Sequence, residues 1–294
     1  MNDPDSTRPR STDLTGVLDT VRDWLAEADH VLIAAGSGLS AAAGYDYDDA
    51  DRFRELFPAL HRLGLRSRYL VGVPLPPEMM WAYWAVHISD IRFSPEPNPL
   101  YQRLRTVVGE RDHWVMTSNV DGLFVRNGFD PRRVFTPQGD YGRYQCTTPC
   151  TRRTWSIKPV LDRLLTAYDP ALGAITVPEA LPVCPNCGGE VFPLVRVGPE
   201  FIDEPFMPAG DRLARWLGRI PLDARLLVVE TGAGFSTPGV IRRPAERVVR
   251  ARPGARLVRI NDGHPDVPDT LAGRALPVAH PADRVIGILA GERM

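Results

Sequence analysis

The sequence predicts an α/β fold: a Rossmann-like, doubly wound parallel sheet with a helical insert and a small four-cysteine zinc-ribbon module. Three observations predict it. Short runs that are apolar on both faces recur along the chain, helical stretches separate several of them, and all four cysteines fall into two close pairs. Strands covered by helices on both faces lose the alternation of a half-exposed sheet. Strand–helix alternation is how a chain builds such a sheet.

The first element is a helix. In "DLTGVLDTVRDWLAEADH", Leu14, Val17, Leu18, Val21 and Leu25 share one face at i, i+3, i+4, i+7 spacing. "VLIAAGSG" follows, apolar and ending in glycines, as a strand does. Further strands are expected at "HWVMTSN" (113–119), "RVFTPQG" (133–139), "RLLVVETGAG" (225–234), "RLVRIND" (256–262) and "LPVAH" (276–280), with helices at 97–108, 210–219 and 240–252. In such sheets ligands sit beyond the carboxyl ends of the strands. Here those ends read Gly36-Ser37-Gly38, Thr117-Ser118-Asn119, Gln138-Gly139-Asp140, Thr231-Gly232-Ala233-Gly234 and Asn261-Asp262. Small, amide and acidic residues gather at one edge, and that edge is the expected pocket.

Two inserts interrupt the alternation. Residues 46–96 form a helical insert rich in aromatics and charge, where Met80, Trp81, Trp84 and Ile88 lie at helical spacing. That stripe either faces a core or walls a cleft. Residues 144–197 hold the cysteines. The parent domain is then discontinuous, over 13–45, 97–143 and 198–294, after a disordered lead-in at 1–12. Residues 166–182 show weak periodicity and read as a surface loop. The 25 glycines and 29 prolines are scattered, which suits many loops between short elements.

The bulk numbers exclude several classes. A net charge of −1 gives no electrostatic case for nucleic acid or an anionic membrane. No apolar run approaches the roughly 18 residues of a membrane span. The start, "MNDPDSTRPRSTD", lacks the apolar centre of a secretory signal, so a cytoplasmic location is expected.

The cysteines carry the sharpest local signal. Cys146 and Cys150 are spaced C-x3-C, Cys184 and Cys187 C-x2-C, with 33 residues between the pairs. This is zinc-ribbon spacing, and Gly188-Gly189 permits the tight turn after the second pair. Two disulfides or four unrelated thiols are the alternatives, the disulfides disfavoured without a secretory signal. Four sulfurs complete a tetrahedron and leave no open position, so the metal is structural.

"AAGSGLSAAAG" (34–44) lies between a strand and a helix. Its glycines allow a backbone to approach a pyrophosphate near a helix N-terminus, or they merely make a tight turn. Its neighbours sharpen the reading. Gly36-Ser37-Gly38-Leu39-Ser40 resembles the "GAGxS" loop of sirtuins, "TSNVDGL" (117–123) the sirtuin "TQNIDGL", and "CPNCGG" with the later "GPE" (198–200) the sirtuin zinc module and its "FGE". "VRIN" (258–261) is similar to the strand whose Asn binds the adenosine ribose. The resemblance runs in order over about residues 14–290. "SAAAGY", "WAYWAVHI", "TPQGDYGRYQC" and "ETGAGFSTPGVI" resemble one branch in particular, the class M sirtuins found beside macrodomain genes in microbes. The chain departs from the wider family at "DYDD" (46–49), where deacetylases carry "PDFR". It departs at Ser118, in place of Gln, and from class M at Ala43, in place of an acid.

The resemblance implies NAD as co-substrate, one structural zinc, and protein ADP-ribosylation in place of deacylation. The implied acceptor is a lipoylated, glycine-cleavage H-like carrier, and a separate macrodomain hydrolase is an implied partner. A deacylase or NAD glycohydrolase with the same pocket is the alternative. In deacylating sirtuins a His before the loop glycine acts as general base; here Gln138 stands there, and a neutral amide cannot take that proton. The implied catalytic residues are Gln138 and Asn119, orienting the ribose, and Asp121, gripping the carboxamide. Gly36, Ser37, Gly38, Ser40, Ser118 and Val120 join them around the dinucleotide. Gly232, Gly234, Ser236 and Asn261 meet its adenosine end. Alternatives stay open: Asn119 or Asp121 as a helix cap, Gln138 as a loop residue, His87 as a base or a satisfied core or surface side chain, and Arg196 near the reaction centre or merely solvated.

Overall fold

The computed structural model describes residues 14–235 and 238–293. The lead-in expected at 1–12 therefore lies outside the described residues. The amino-terminal half runs α1 (Leu14–Glu27), β1 (His30–Ala35), α2 (Ser37–Ala42), α3 (Ala50–Leu56), α4 (Pro58–Arg62), α5 (Pro77–Arg92), α6 (Pro99–Val108), β2 (Asp112–Thr117), α7 (Leu123–Arg126), β3 (Val134–Phe135) and β4 (Gly139–Cys146). It continues with β5 (Trp155–Ser156), α8 (Lys158–Thr166), β6 (Tyr168–Asp169), β7 (Ala174–Ile175), β8 (Val191–Val195), α9 (Met207–Arg219), β9 (Leu226–Thr231), α10 (Arg242–Arg250), β10 (Arg256–Ile260), β11 (Ala275–Val278) and α11 (Ala282–Leu289).

Six strands form a parallel sheet in the order β11-β10-β9-β1-β2-β3. Strand order reverses about β1, which makes its carboxyl end a topological switch point. Register places Ala35 opposite both Thr117 and Thr231, so β1, β2 and β9 end level and their turns emerge side by side. Both faces are buried, as the apolar runs predict. Val31, Ile33 and Ala35 pack with Leu18, Leu104 and Val285 from α1, α6 and α11. Leu32 and Ala34 face Leu213 and Trp216 of α9 and Ala245 and Val249 of α10.

A third cluster joins the 46–96 insert to the cysteine-bearing segment. Phe53, Trp81, Trp84 and Ile88 pack with Leu161 of α8 and with Tyr141 and Tyr144 of a three-stranded sheet, β5-β4-β8. The Trp81–Trp84–Ile88 stripe is core, with the half-buried Met80 against it. The expected loop at 166–182 is corrected: it contains the β6–β7 hairpin and a 3-10 turn, Pro178–Ala180, and buries Ile175 and Ala180 in this cluster. Strands of two residues are too short to show a period, which is why the sequence looks structureless there.

On the α10 side of the sheet lies a buried ion network. Glu230 of β9 and Arg259 of β10 are register neighbours, 0% and 1% exposed, bonded twice at 2.7 and 2.8 Å. Glu246 of α10 accepts from Arg259 at 2.8 Å. Burial pushes the Glu230 carboxyl up against the pull of Arg259. Breaking such a pair from one side leaves an uncompensated charge, at about 3–5 kcal/mol. Arg259→Met is therefore expected to lower unfolding free energy by about that amount in urea titration. A loss under about 1 kcal/mol would show that Glu230 finds water or another cation.

Candidate active site

The site begins with two turns packed backbone to backbone. Gly36 N donates to Thr231 O and Gly38 N to Gly232 O, both at 2.9 Å, while Ser118 N reaches Ala35 O at 3.1 Å. A Cβ on Gly36 would sit 2.6 Å from Gly232 O and Ala233 Cα, and one on Gly232, at φ +63°, would collide with Leu39 N. Real Cβ atoms do not approach that closely, so the glycines of the β1 and β9 turns are required by each other. Gly36 lines neither cavity described below. Helix α2 has only six residues, and Gly38 N and Leu39 N are bonded within the chain, so few amides of its first turn are free.

Two cavities open along the carboxyl edge. One, of about 340 Å³, is lined by Ser37, Gly38, Ser40, Ser118, Asn119, Val120, Asp121, Gln138 and Arg196, with Tyr45, Asp46, Tyr47, Tyr69 and Tyr141. The other, of about 540 Å³, is lined by Ser37, Gly38, Gly232, Gly234, Asn261, Asp262, His264 and Asp283, among others. Ser37, Gly38 and Ala41 line both, so the two cavities adjoin at the glycine contact along one cleft edge. The sequence-predicted residues come together here except for Gly36, behind the wall, and Ser236, which lies outside the described residues. The tyrosines and Asp46 were not singled out from the sequence; "GYDYDD" was visible, but nothing in it points to a cleft.

Three predicted residues are bonded to one another. Ser40 Oγ donates to Asp121 Oδ2 at 2.6 Å and accepts from Asn119 Nδ2 at 2.9 Å. Asn119 Nδ2 also donates to Gly36 O at 3.0 Å, so its two amide hydrogens are committed and Oδ1 is left to accept from a ligand. Asp121 Oδ1 accepts from Leu123 N at 2.9 Å, so Asp121 serves the start of α7 while lining the cleft. Burial raises the Asp121 carboxyl above its usual value against the Ser40 hydrogen bond.

Gln138 lines the same cavity. Its carbonyl accepts from Arg196 N at 2.9 Å, and its side-chain amide has no hydrogen bond among the described residues. Gly139, at φ +117°, lies where a Cβ would meet the β8 backbone. Arg196 Nε donates to Pro137 O at 3.3 Å, and its guanidinium stacks 4.3 Å from the Phe201 ring.

No imidazole lines the Gln138 end of the cleft. His87 is fully buried behind Tyr47, Tyr83, Trp84 and Tyr141, and neither ring nitrogen has a partner. It is a core residue but not a satisfied one, and burial holds it well below its usual pKa. The paired phenols Tyr47 and Tyr141, 3.2 Å apart, are held protonated by burial, Tyr141 at about 12. Asn261 lines the far end with its amide largely committed: Nδ2 donates to Ala233 O at 3.0 Å, and Oδ1 accepts from Gly263 N and His264 N.

Away from the cleft, the four cysteine sulfurs lie within 4.8 Å of one another. Cys146 and Cys187 are 3.8 Å apart and Cys150 and Cys184 3.6 Å. A disulfide needs about 2.05 Å, whereas sulfurs about 2.3 Å from a shared tetrahedral metal stand about 3.8 Å apart. The Cys184 carbonyl accepts from Gly188 N at 2.8 Å, closing the second knuckle with Gly188 at φ +74°. All four donors are soft thiols, so the cluster is positioned to bind a zinc ion.

The comparisons with known proteins agree with this geometry. No protein-family model matches the chain. It covers 92% of its length on a Sir2 homologue in complex with ADP-ribose, with TM-score 0.58, 21% identity and 94% of that chain matched. A Sir2 homologue–NAD complex gives TM-score 0.57 at 22% identity, over 92% of each chain. The chain has the sirtuin fold. Among curated relatives, a probable bifunctional ADP-ribose hydrolase/ADP-ribosyltransferase of Fusarium oxysporum f. sp. cubense is 35% identical over 84% of this chain, which spans only 43% of that protein. A protein ADP-ribosyltransferase of Staphylococcus aureus is 26% identical, over 89% of this chain and 83% of its own length. An NAD-dependent protein deacylase 2 of Pseudomonas aeruginosa is 26% identical, over 89% and 94%.

A zinc held by these four thiols would tie the end of β4 to the turns that carry Cys150, Cys184 and Cys187, and the folding of such sites is coupled to the metal. Cys184→Ser is expected to lose zinc by atomic absorption and to melt about 5–10 °C lower, in the range of a 2–3 kcal/mol loss for a chain of this size. Full metal content with an unchanged melting temperature would contradict the four-thiolate site.

Proposed function

We propose that this chain is an NAD-dependent protein ADP-ribosyltransferase of sirtuin type, of the class M branch. The observation that carries the reading is the Gln138 side-chain amide, without a hydrogen bond among the described residues, lining the same cavity as Asn119 and Asp121 with no histidine beside it. The S. aureus and Fusarium relatives are named as ADP-ribosyltransferases, which supports it.

NAD lies along the cleft, its diphosphate over the glycine contact and its adenosine toward Asn261. At the Gln138 end, Asp121 accepts from the nicotinamide carboxamide, while Asn119 Oδ1 and the Gln138 amide take the ribose hydroxyls. The C1′–N bond breaks with its electron pair leaving on the ring nitrogen, so nicotinamide departs neutral and positive charge spreads over C1′ and the ring oxygen. Fixed dipoles and the buried carboxylate stabilise that charge in a site with little water. A nucleophile of the acceptor protein then bonds to C1′ and releases its proton. Full deacylation needs a further proton removed from the ribose by a positioned base, a contribution of about 10²–10⁴-fold that an amide cannot supply.

The acceptor is a lipoylated, glycine-cleavage H-like carrier, met in the cytoplasm, and a separate macrodomain protein removes the modification. The Fusarium protein's name pairs an ADP-ribose hydrolase with a transferase, which supports such a pairing. Residues 13–45, 97–143 and 198–294 hold the dinucleotide, with 46–96 and 144–197 closing over its nicotinamide end. A second reading, NAD-dependent deacylation, is favoured by the Pseudomonas relatives and rests on the same pocket.

Labelled NAD incubated with the protein and either a lipoylated carrier or an acetyl-lysine peptide separates the two. Label on the carrier is expected. Gln138→Ala should cut labelling about 10–100-fold at unchanged zinc content, by analogy with loss of one oriented polar group in a closed site. Release of O-acetyl-ADP-ribose from the peptide at a comparable rate would overturn the transferase reading.

A further inference from the structure

A buried arginine outside the sequence-predicted set is bonded to the 233–234 and 264–266 turns, which border the second cavity. Arg242, at the start of α10 and 4% exposed, donates from Nη1 to Ala233 O at 3.0 Å and His264 O at 2.9 Å, and from Nη2 to Asp266 O at 3.2 Å. Glu230 lies 3.9 Å from the same guanidinium, so the ion network beneath the sheet edge balances its charge. Arg259 reaches the Asp266 carbonyl as well. Three carbonyls from two loops therefore point inward at one fixed cation.

The first of these matters most. Ala233 O is gripped twice, by Arg242 and by Asn261 Nδ2 at 3.0 Å. In a trans peptide the carbonyl and the following N–H point in opposite directions. An Ala233 carbonyl held inward thus turns Gly234 N–H the other way. Gly234 lines the cleft, a Cβ on it would touch nothing within 4 Å, and its N–H has no acceptor among the described residues. The peptide lies between a buried residue and a glycine with unrestricted φ, so little in the local chain prevents it from flipping.

We propose that Arg242 is a positioning residue that locks the Ala233–Gly234 peptide and so presents Gly234 N–H as a donor to the diphosphate of a bound nucleotide. The inference rests on the nucleotide reading of the cleft given above and goes beyond it in naming the donor and the residue that orients it. Arg242 need not touch the ligand. Its effect belongs to the phosphate-bearing part of the ligand and leaves the nicotinamide end, which lies in the other cavity, unchanged.

The test measures ADP-ribose binding by calorimetry to the full chain and to Arg242→Lys and Arg242→Met, with adenosine as competitor and melting curves for each. Lysine keeps the charge beside Glu230, which preserves folding, but cannot hold three carbonyls in one plane. The wild type is expected to bind ADP-ribose, the Met variant roughly 10–100-fold more weakly and the Lys variant in between, the range for one hydrogen bond to a charged group. Adenosine affinity should change less than threefold, and KM for NAD should rise while kcat stays within about threefold. If a folded Lys variant and a folded Met variant both bind ADP-ribose like the wild type, the lock is wrong and the nucleotide reading stands. Equal losses for adenosine and ADP-ribose would also overturn it, because Arg242 would then shape only the 261–266 turn. Should the wild type fail to bind ADP-ribose, the nucleotide reading itself falls.

Discussion

Everything in the cleft depends on one steric constraint, the contact of two backbones at Gly36, Gly38 and Gly232. It exists because β1, β2 and β9 end level and because none of the three residues carries a Cβ. The contact removes side chains from the middle of the sheet edge, which leaves adjoining cavities on either side of it, one reaching Gln138 and the other Asn261. A single methyl group at any of the three positions would push apart the strands that align the ends. The chemistry at either end is arranged around a floor that has no chemistry of its own.

What the site can do follows from which polar groups are already occupied. Ser40 holds both Asn119 and Asp121, both Asp121 oxygens are bonded within the chain, and Asn119 Oδ1 is left to accept from a ligand. Gln138 is the opposite case: its backbone is tied to Arg196, and its amide is left unbonded. Burial keeps the Tyr47 and Tyr141 phenols protonated, and His87 is sealed in an aromatic core. A Gln138 end with many donors and acceptors and no imidazole suits cleavage of a glycosidic bond better than proton shuttling. The same logic recurs at the adenosine end, where Arg242 and Asn261 both hold Ala233 O.

Much of this was legible in the sequence, for definite reasons. Strands buried on both faces give uninterrupted apolar runs, so β1, β2, β9, β10 and β11 were visible, and their last residues named the cleft. Paired cysteines at fixed spacing announce themselves. Other features leave no local trace. The β6–β7 hairpin is too short for a period, and α8 and α11 are short helices whose apolar residues, such as Leu161 and Ile286, take their meaning from what they pack against. Asn261 was legible as a cleft residue but not as one whose amide is mostly bonded within the chain. Arg242 sits in "VIRRPAE", where nothing distinguishes a buried arginine from the exposed one that follows it.

The central claim is that one passage over the glycine contact takes a dinucleotide with its reactive carbon toward Gln138. A crystal structure with bound ADP-ribose tests it most directly. The account predicts the diphosphate above Gly38 and Gly232, the terminal ribose beside Asn119 and Gln138, and adenine near Asn261. Density for the ligand outside this cleft, or with its two ends exchanged, would contradict it.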